Sequence, residues 1–179
     1  TGIIERFSYQ PNEPNSFPSN RIFSIQEGKD GILWIGANEG LIRFDKKTKT
    51  SKLFLSTTSP QGVLLDNYTG IVTSDGNGNL WLRTDNGLTL FNTQTLEPTY
   101  FTHSPFSSEH SLGDIYDIKW HNNKLLVGCD IGLLEIDVIN KTDRFLLLSS
   151  DVSSENSSVT FQKILSVGEQ QFYIGTHSG

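Results

Sequence analysis

Apolar and polar residues alternate in short runs along this chain. Between about Arg21 and Glu27, Ile22 and Ser24 stand against Phe23 and Ile25, and shorter apolar runs follow at about Ile32–Ala37, Leu41–Asp45 and Lys52–Ser56. A period of two marks strands whose successive side chains face opposite sides. Asp30-Gly31 between the first two runs is a hairpin signal. Asn38-Glu39-Gly40 between the next two is a tight turn, in which glycine supplies a positive φ without a Cβ penalty. Apolar spacing of three and four is not sustained over more than about ten residues, so essentially no helix is predicted.

The pattern then repeats. Leu33-Trp34-Ile35-Gly36-Ala37-Asn38-Glu39-Gly40-Leu41 recurs as Leu80-Trp81-Leu82-Arg83-Thr84-Asp85-Asn86-Gly87-Leu88 and again as Leu125-Leu126-Val127-Gly128-Cys129-Asp130-Ile131-Gly132-Leu133. A last copy runs from Phe172 to Gly179. The closing glycines Gly40, Gly87, Gly132 and Gly179 are separated by 47, 45 and 47 residues. Such a period suits a four-stranded propeller blade. The shorter third period has a shorter hairpin, His121-Asn122-Asn123-Lys124. The predicted fold is all-β: a β-propeller of four-stranded antiparallel blades. Residues 1–179 form one partial propeller, with blades at about 20–56, 67–103 and 114–149 and a half blade at about 160–179. Phe7 aligns with Phe54, which predicts an outer strand over about 1–10.

The segments Pro11–Asn20, Thr57–Asn67, His103–Asp114 and Asp151–Val159 are rich in Pro, Ser and Asn and read as crossings between blades. About three and a half blades is fewer than most propellers have. The chain also contains no methionine. A processed protein or a fragment of a larger propeller is expected. Its ends would associate with the remaining blades or with another copy of the chain, because exposed strand edges recruit partners.

Composition narrows the function classes. The net charge is −6, with 14 Lys+Arg against 20 Asp+Glu. That balance argues against non-specific nucleic-acid binding and against docking on an anionic membrane. No plain apolar run is longer than Phe145-Leu146-Leu147-Leu148, far short of a membrane span. One cysteine, Cys129, excludes an internal disulfide framework and a Cys-rich zinc site. Three Asn-x-Ser/Thr triplets, at Asn67, Asn140 and Asn156, carry meaning only in a glycosylating source.

Enzyme motifs fail. Asp75-Gly76-Asn77-Gly78-Asn79 begins like a calcium loop, but Leu80 and Asn86 stand where that loop needs Gly and Glu. His103, His110, His121 and His177 show no His-x-x-x-His spacing, and neither a nucleophile elbow nor a phosphate loop is present. Cys129 occupies the place of Thr84 and reads as a small buried residue at a turn edge. No catalytic residue, metal or cofactor is expected.

Alternation puts Trp34 and Gly36 on one face of their strand. The recurring positions Trp34, Gly36, Trp81, Gly128 and Gly175 read as blade core, and Gly40, Gly87 and Gly132 as turn glycines. Sugar-stacking is the alternative for the tryptophans, but a ligand site would break the repeat. Departures from the repeat are therefore the candidate binding residues. Arg83 replaces the expected glycine, and Trp120 and His121 stand at a hairpin where other copies are small or polar. For each the competing reading is structural: Arg83 ion-paired at a blade rim, Trp120 packed beneath its loop. His103-Ser104-Pro105-Phe106 with His110 is a second loop candidate.

Asp30-Gly31-x-Leu33-Trp34-Ile35-Gly36-x-x-x-Gly40-Leu41-x-Arg43-Phe44-Asp45, with its prelude from Pro11 to Ile22, resembles the two-component regulator propeller repeat. The resemblance covers nearly the whole chain, is looser at Leu126 and is broken at Arg83. It implies a periplasmic sensor segment of a hybrid two-component receptor. The implied signal is an oligosaccharide and the implied output is transcription of polysaccharide-utilisation genes. The kinase of such a parent would lie outside this chain. A protein–protein scaffold is the alternative, with affinity in exposed loops. A propeller enzyme is a third, but it needs paired carboxylates or a His/Tyr cluster at channel positions, and none is found.

Overall fold

Each predicted run of alternating residues closes into a ladder with the next. The computed structural model describes residues 2, 4–13, 15–55, 68–148, 160–168 and 171–177, with the side chains of 107–111 and 148 excepted. The first sheet contains β1 (Ile22–Glu27), β2 (Ile32–Ala37), β3 (Gly40–Asp45) and β4 (Thr50–Phe54). The second contains β5 (Ile71–Ser74), β6 (Asn79–Thr84), β7 (Gly87–Asn92) and β8 (Pro98–Phe101). After a small pair, β9 (His103–Ser104) and β10 (Ser107–Ser111), the third contains β11 (Ile115–His121), β12 (Lys124–Cys129), β13 (Gly132–Asp137) and β14 (Thr142–Leu148). A last pair is β15 (Phe161–Val167) and β16 (Gln171–Thr176). Every ladder is antiparallel and joins strands consecutive in sequence. The inner strands β1, β5, β11 and β15 lie side by side, so the sheets stack in chain order. This is a propeller array of about three and a half blades. Its one helical element among the described residues is a single 3₁₀ turn at Lys29–Gly31.

The turns explain the register. Asp30 and Gly31 both take positive φ (57° and 83°), as do Asn122 and Asn123 (49° and 62°) in the third blade. Two successive positive φ values match the twist of the flanking strands. At the β3–β4 turn, the Asp45 carboxylate accepts from the backbone N–H groups of Lys47 and Thr48. Asn92 does the same for Gln94 and Thr95, and Asp137 for Asn140. Each turn then closes through a left-handed residue: Lys49, Leu96 or Lys141. These hydrogen bonds hold the Asp45 and Asp137 carboxyls below their ordinary value of 3.8. A depressed folded value stabilises above the unfolded value and loses that effect as pH falls through the folded one. Stability should therefore fall on acidification below about 3.8 and fall less in the Asp45→Asn, Asp137→Asn double variant, which copies Asn92. Identical acid profiles for the two proteins in urea melts would contradict this.

Three positions differ from the sequence expectation. No strand is assigned among described residues 2 and 4–10. An outer strand needs an inner neighbour to pair with, and here Phe7 instead packs its ring against Phe44 and Phe17, with centroids 4.9 and 6.3 Å away. The crossing 103–114 is not a plain linker, since β9 and β10 pair within it. Gly40 and Gly87 take φ of 148° and 129°, but Gly132 is absent from the positive-φ residues. Next to it the outer strand β14 carries a bulge beside Leu133 and Leu134, which sets this ladder apart from those of the other blades. The crossings 57–67 and 151–159 lie outside the described residues.

Candidate functional site at the blade interfaces

The core is laid down in slabs between blades. Trp34 packs with Leu41 and Phe54 of its own blade and with Val72, Leu80, Leu82 and Phe91 of the second. Trp81 packs with Leu88 of its own blade and Leu112, Ile115, Ile118, Leu125 and Val127. The two indoles are 4% and 2% exposed. Leu126 takes the same place in the third blade, against Phe161 and Ile164. Tyr173 takes it in the last, on the open face of the array, and is 64% exposed. Ile25, the counterpart of buried Val72 and Ile118, is 62% exposed on the opposite open face.

At each interface between blades, adjacent inner strands are also tied together. Ser24 Oγ accepts from the Val72 N–H at 3.0 Å, linking blades one and two. Asp117 Oδ2 accepts from the Ile164 N–H at 2.9 Å, linking the third blade to the last pair. Their ladder partners are Gly36 and Gly128. A Cβ at Gly36 would lie 2.7 Å from the Thr69 carbonyl oxygen, and one at Gly128 would lie 2.6 Å from that of Phe161. The glycines therefore admit the backbone of the following blade.

The second blade solves the same problem differently. Ile71, paired with Arg83, has no acceptor to offer. Arg83 Nε instead donates to the Ile115 carbonyl at 2.8 Å. The guanidinium also stacks over Tyr68, 5.1 Å from its ring centre, and lies 3.7 Å from the Asp85 carboxylate. Gly70 makes room, since a Cβ there would stand 2.8 Å from Arg83 Nη1. A hydrogen bond from a charged donor contributes about 1.5–3 kcal/mol. Arg83→Ala is expected to lower unfolding free energy by about that amount; an unchanged urea midpoint would show that the link carries no energy.

Trp120 and His121 lie elsewhere. They pair with Leu125 and Lys124 at the hairpin end of β11, whereas Arg83 pairs with Ile71 at the opposite end of β5. The structure therefore does not bring the three residues into one site. Trp120 packs on the slab around Trp81. His121 meets Phe172 edge-on at 5.0 Å. His103 lies on β9, next to Ser104, whose hydroxyl contacts the Asp143 carboxylate. Cys129 Sγ donates to the Gly132 carbonyl at 3.2 Å, as Thr84 Oγ1 does to Gly87. Burial pushes its thiol above the ordinary range, which suits an inert buried thiol. Among the described residues no group of three His, Cys, Asp or Glu could hold a metal ion. Asp75 binds the N–H groups of Asn77 and Asn79 in its hairpin instead.

On the face that carries the β1–β2 and β5–β6 hairpins, a cleft of about 380 Å³ opens between the first and second blades. Its walls include Ile32, Trp34 and Leu80, with Arg43, Glu27, Asp30, Thr93 and Gln94 among the polar groups. Sequence reasoning passed over this cleft, because Arg43 follows the repeat motif rather than breaking it. The available signal was the contrast at one repeat position, where Arg43 is replaced by Leu90 and then Glu135.

Stacked four-stranded meanders with tryptophans between them define a β-propeller array. Within it, residues 16–39 match the family described as two component regulator propeller. No curated protein matches the sequence. Among solved structures, the chain is similar to BT3049 of B. thetaiotaomicron, described as the extracellular domain of a hybrid two component system. The TM-score is 0.74 at 19% identity, covering 96% of this chain and 21% of that one. It is also similar to BT4673 of B. thetaiotaomicron, described as the extracellular domain of a one component system, with TM-score 0.66 at 20% identity over 92% of this chain and 21% of that one. The WD40 repeats of RRP9 align at TM-score 0.55 and 10% identity, over 86% of this chain and 50% of that one. At these identities the likeness establishes the propeller fold. The chain spans about a fifth of the two bacterial extracellular domains. No helix among the described residues is long and apolar enough to cross a membrane.

Proposed function

We propose that this chain is a signal-input segment of a hybrid two-component receptor, held in the periplasm and acting without catalysis of its own. The observation that carries the reading is the family match at residues 16–39, on the blade whose motif is most complete. The likeness of the whole blade array to bacterial extracellular receptor domains supports it. In this reading the signal is an oligosaccharide and the output is expression of polysaccharide-utilisation genes by a histidine kinase elsewhere in the parent. The open faces at Ile25 and Tyr173 would be covered by the remaining blades of the same propeller. A propeller gives such a receptor a rigid body, because each blade is fixed to the next by a buried slab and a cross-blade hydrogen bond. The test is autophosphorylation of the full-length parent in proteoliposomes, challenged with a panel of plant and host oligosaccharides. A change in phosphorylation with one member of the panel is expected. A parent that lacks a kinase region would move the chain to the scaffold class.

A further inference from the structure

The three interfaces between blades are built from equivalent positions, yet the first keeps a cleft of about 380 Å³ whose arginine, Arg43, has no ion pair among the described residues. Opposite Trp34 on β3 stands Arg43, and opposite Trp81 on β7 stands Leu90. Opposite Leu126 on β13 stands Glu135. Leu90 packs into the second interface together with Trp120, which comes from the inner strand of the following blade. Ser74 holds the place of Trp120 in the first interface, since it pairs with Leu80 as Trp120 pairs with Leu125. In the third interface Glu135 is neutralised from within its own blade, by Lys124 at 2.9 Å and Arg144 at 3.0 Å; the cleft of about 310 Å³ beside it is lined by these paired charges, and the one facing Phe172 is about 160 Å³. The first interface thus has neither the plug of the second nor the internal ion pairs of the third.

The space there is real. A Cβ at Gly76 would meet nothing within 4 Å, and one at Gly78 would meet only Thr93 Oγ1, at 3.9 Å. Gly28 lies directly on the indole, where a Cβ would be 2.9 Å from Trp34 Cδ1, so the wall stays low on that side. Among the described residues no hydrogen bond or ion pair holds the Arg43 guanidinium. Of the acidic groups around it, Glu27 is engaged by Lys46, and Asp45, whose charge acts on Arg43, accepts from the Lys47 and Thr48 N–H groups. Five fixed donors beside an apolar floor match a carboxylate, which a guanidinium can grip through two parallel hydrogen bonds. Thr93, Gln94 and Ser74 supply neutral polar groups around it.

We infer that the cleft between the first two blades is a binding site for a small carboxylate-bearing ligand, with Arg43 gripping the carboxylate over the Trp34–Ile32–Leu80 floor. The inference goes beyond the receptor assignment and does not depend on it. Both an acidic sugar and a simple organic acid carry this chemistry, and the test separates them. The 179-residue chain would be titrated calorimetrically with glucuronate, glucose and succinate. Glucuronate is expected to bind and glucose not to bind. Succinate binding as well as glucuronate would support the site and assign it to organic acids in general. Arg43→Leu copies the second blade, and Ser74→Trp copies the third blade's inner strand and closes the cleft while leaving Arg43 in place. Each should weaken glucuronate binding at least tenfold with the circular-dichroism spectrum unchanged. Equal binding of glucose and glucuronate, no binding of any acid by the wild-type chain, or full affinity in both folded variants would overturn the inference.

Discussion

Trp81→Ala is expected to lower the unfolding free energy by about 3–5 kcal/mol, the cost of truncating a fully buried large aromatic. Trp81 is 2% exposed, and its ring touches both walls of the slab between blades two and three, including Phe101 at 5.8 Å. Removing it leaves a cavity that stacked sheets cannot collapse into, since β5 and β11 are also held together by the Trp120 N–H donating to Thr73 Oγ1 at 3.4 Å. Trp81→Phe should cost much less. It keeps most of the ring volume, and the indole N–H it deletes is buried without an acceptor among the described residues. Urea denaturation of the three proteins checks this. A Trp81→Ala midpoint within error of wild type would mean that the indole is not a packing residue.

The second large effect is expected at the β6–β7 turn. Gly87 has φ of 129°, and a Cβ there would lie 2.3 Å from the Phe101 carbonyl oxygen of the outer strand. Gly87→Val combines backbone strain with a clash against main chain, which cannot swing aside as a side chain would. A cost of about 3 kcal/mol or more is expected. Gly40→Val should behave alike, since its Cβ would meet the Phe54 carbonyl oxygen at 2.2 Å. Gly132→Val should cost less, because Gly132 does not take a positive φ and the backbone-strain part of the penalty is absent there. Equal losses at Gly87 and Gly132 in thermal melts would refute this distinction.

The blade array was legible because a repeat reports the same environment several times. Leu33-Trp34-Ile35-Gly36 and its copies gave strand, face and neighbour together, and β2, β6 and β12 occupy those copies. What escaped depends on a neighbouring strand or blade. Whether residues 4–10 form a strand depends on a ladder partner, and Phe7 alone could not show that it would pack as a side chain instead. The turn at Gly132 adjoins a ladder whose outer strand, β14, bulges beside Leu133 and Leu134, beyond the motif that predicts the turn.

The candidate site was less legible. Arg83 stands out as a departure, but its role depends on where blade three presents the Ile115 carbonyl, a distance no single copy of the repeat supplies. Departures from the repeat also proved an incomplete guide to open space. Trp120 departs and fills its interface, whereas Arg43 conforms and lines a cleft. The difference is set by pairs of positions on adjacent blades, Arg43 with Ser74 and Leu90 with Trp120, which are 31 and 30 residues apart in sequence.

The account rests on adjacent blades being joined by the recurring motif, with Arg83 supplying at the second interface the cross-blade hydrogen bond that Ser24 and Asp117 supply at the others. A crystal structure of a longer protein containing these residues tests this most directly. It should show Trp34 and Trp81 at equivalent buried sites between consecutive sheets, and Arg83 Nε within hydrogen-bond distance of the Ile115 carbonyl oxygen. An Arg83 side chain turned to solvent, or either indole outside the blade interface, would contradict it.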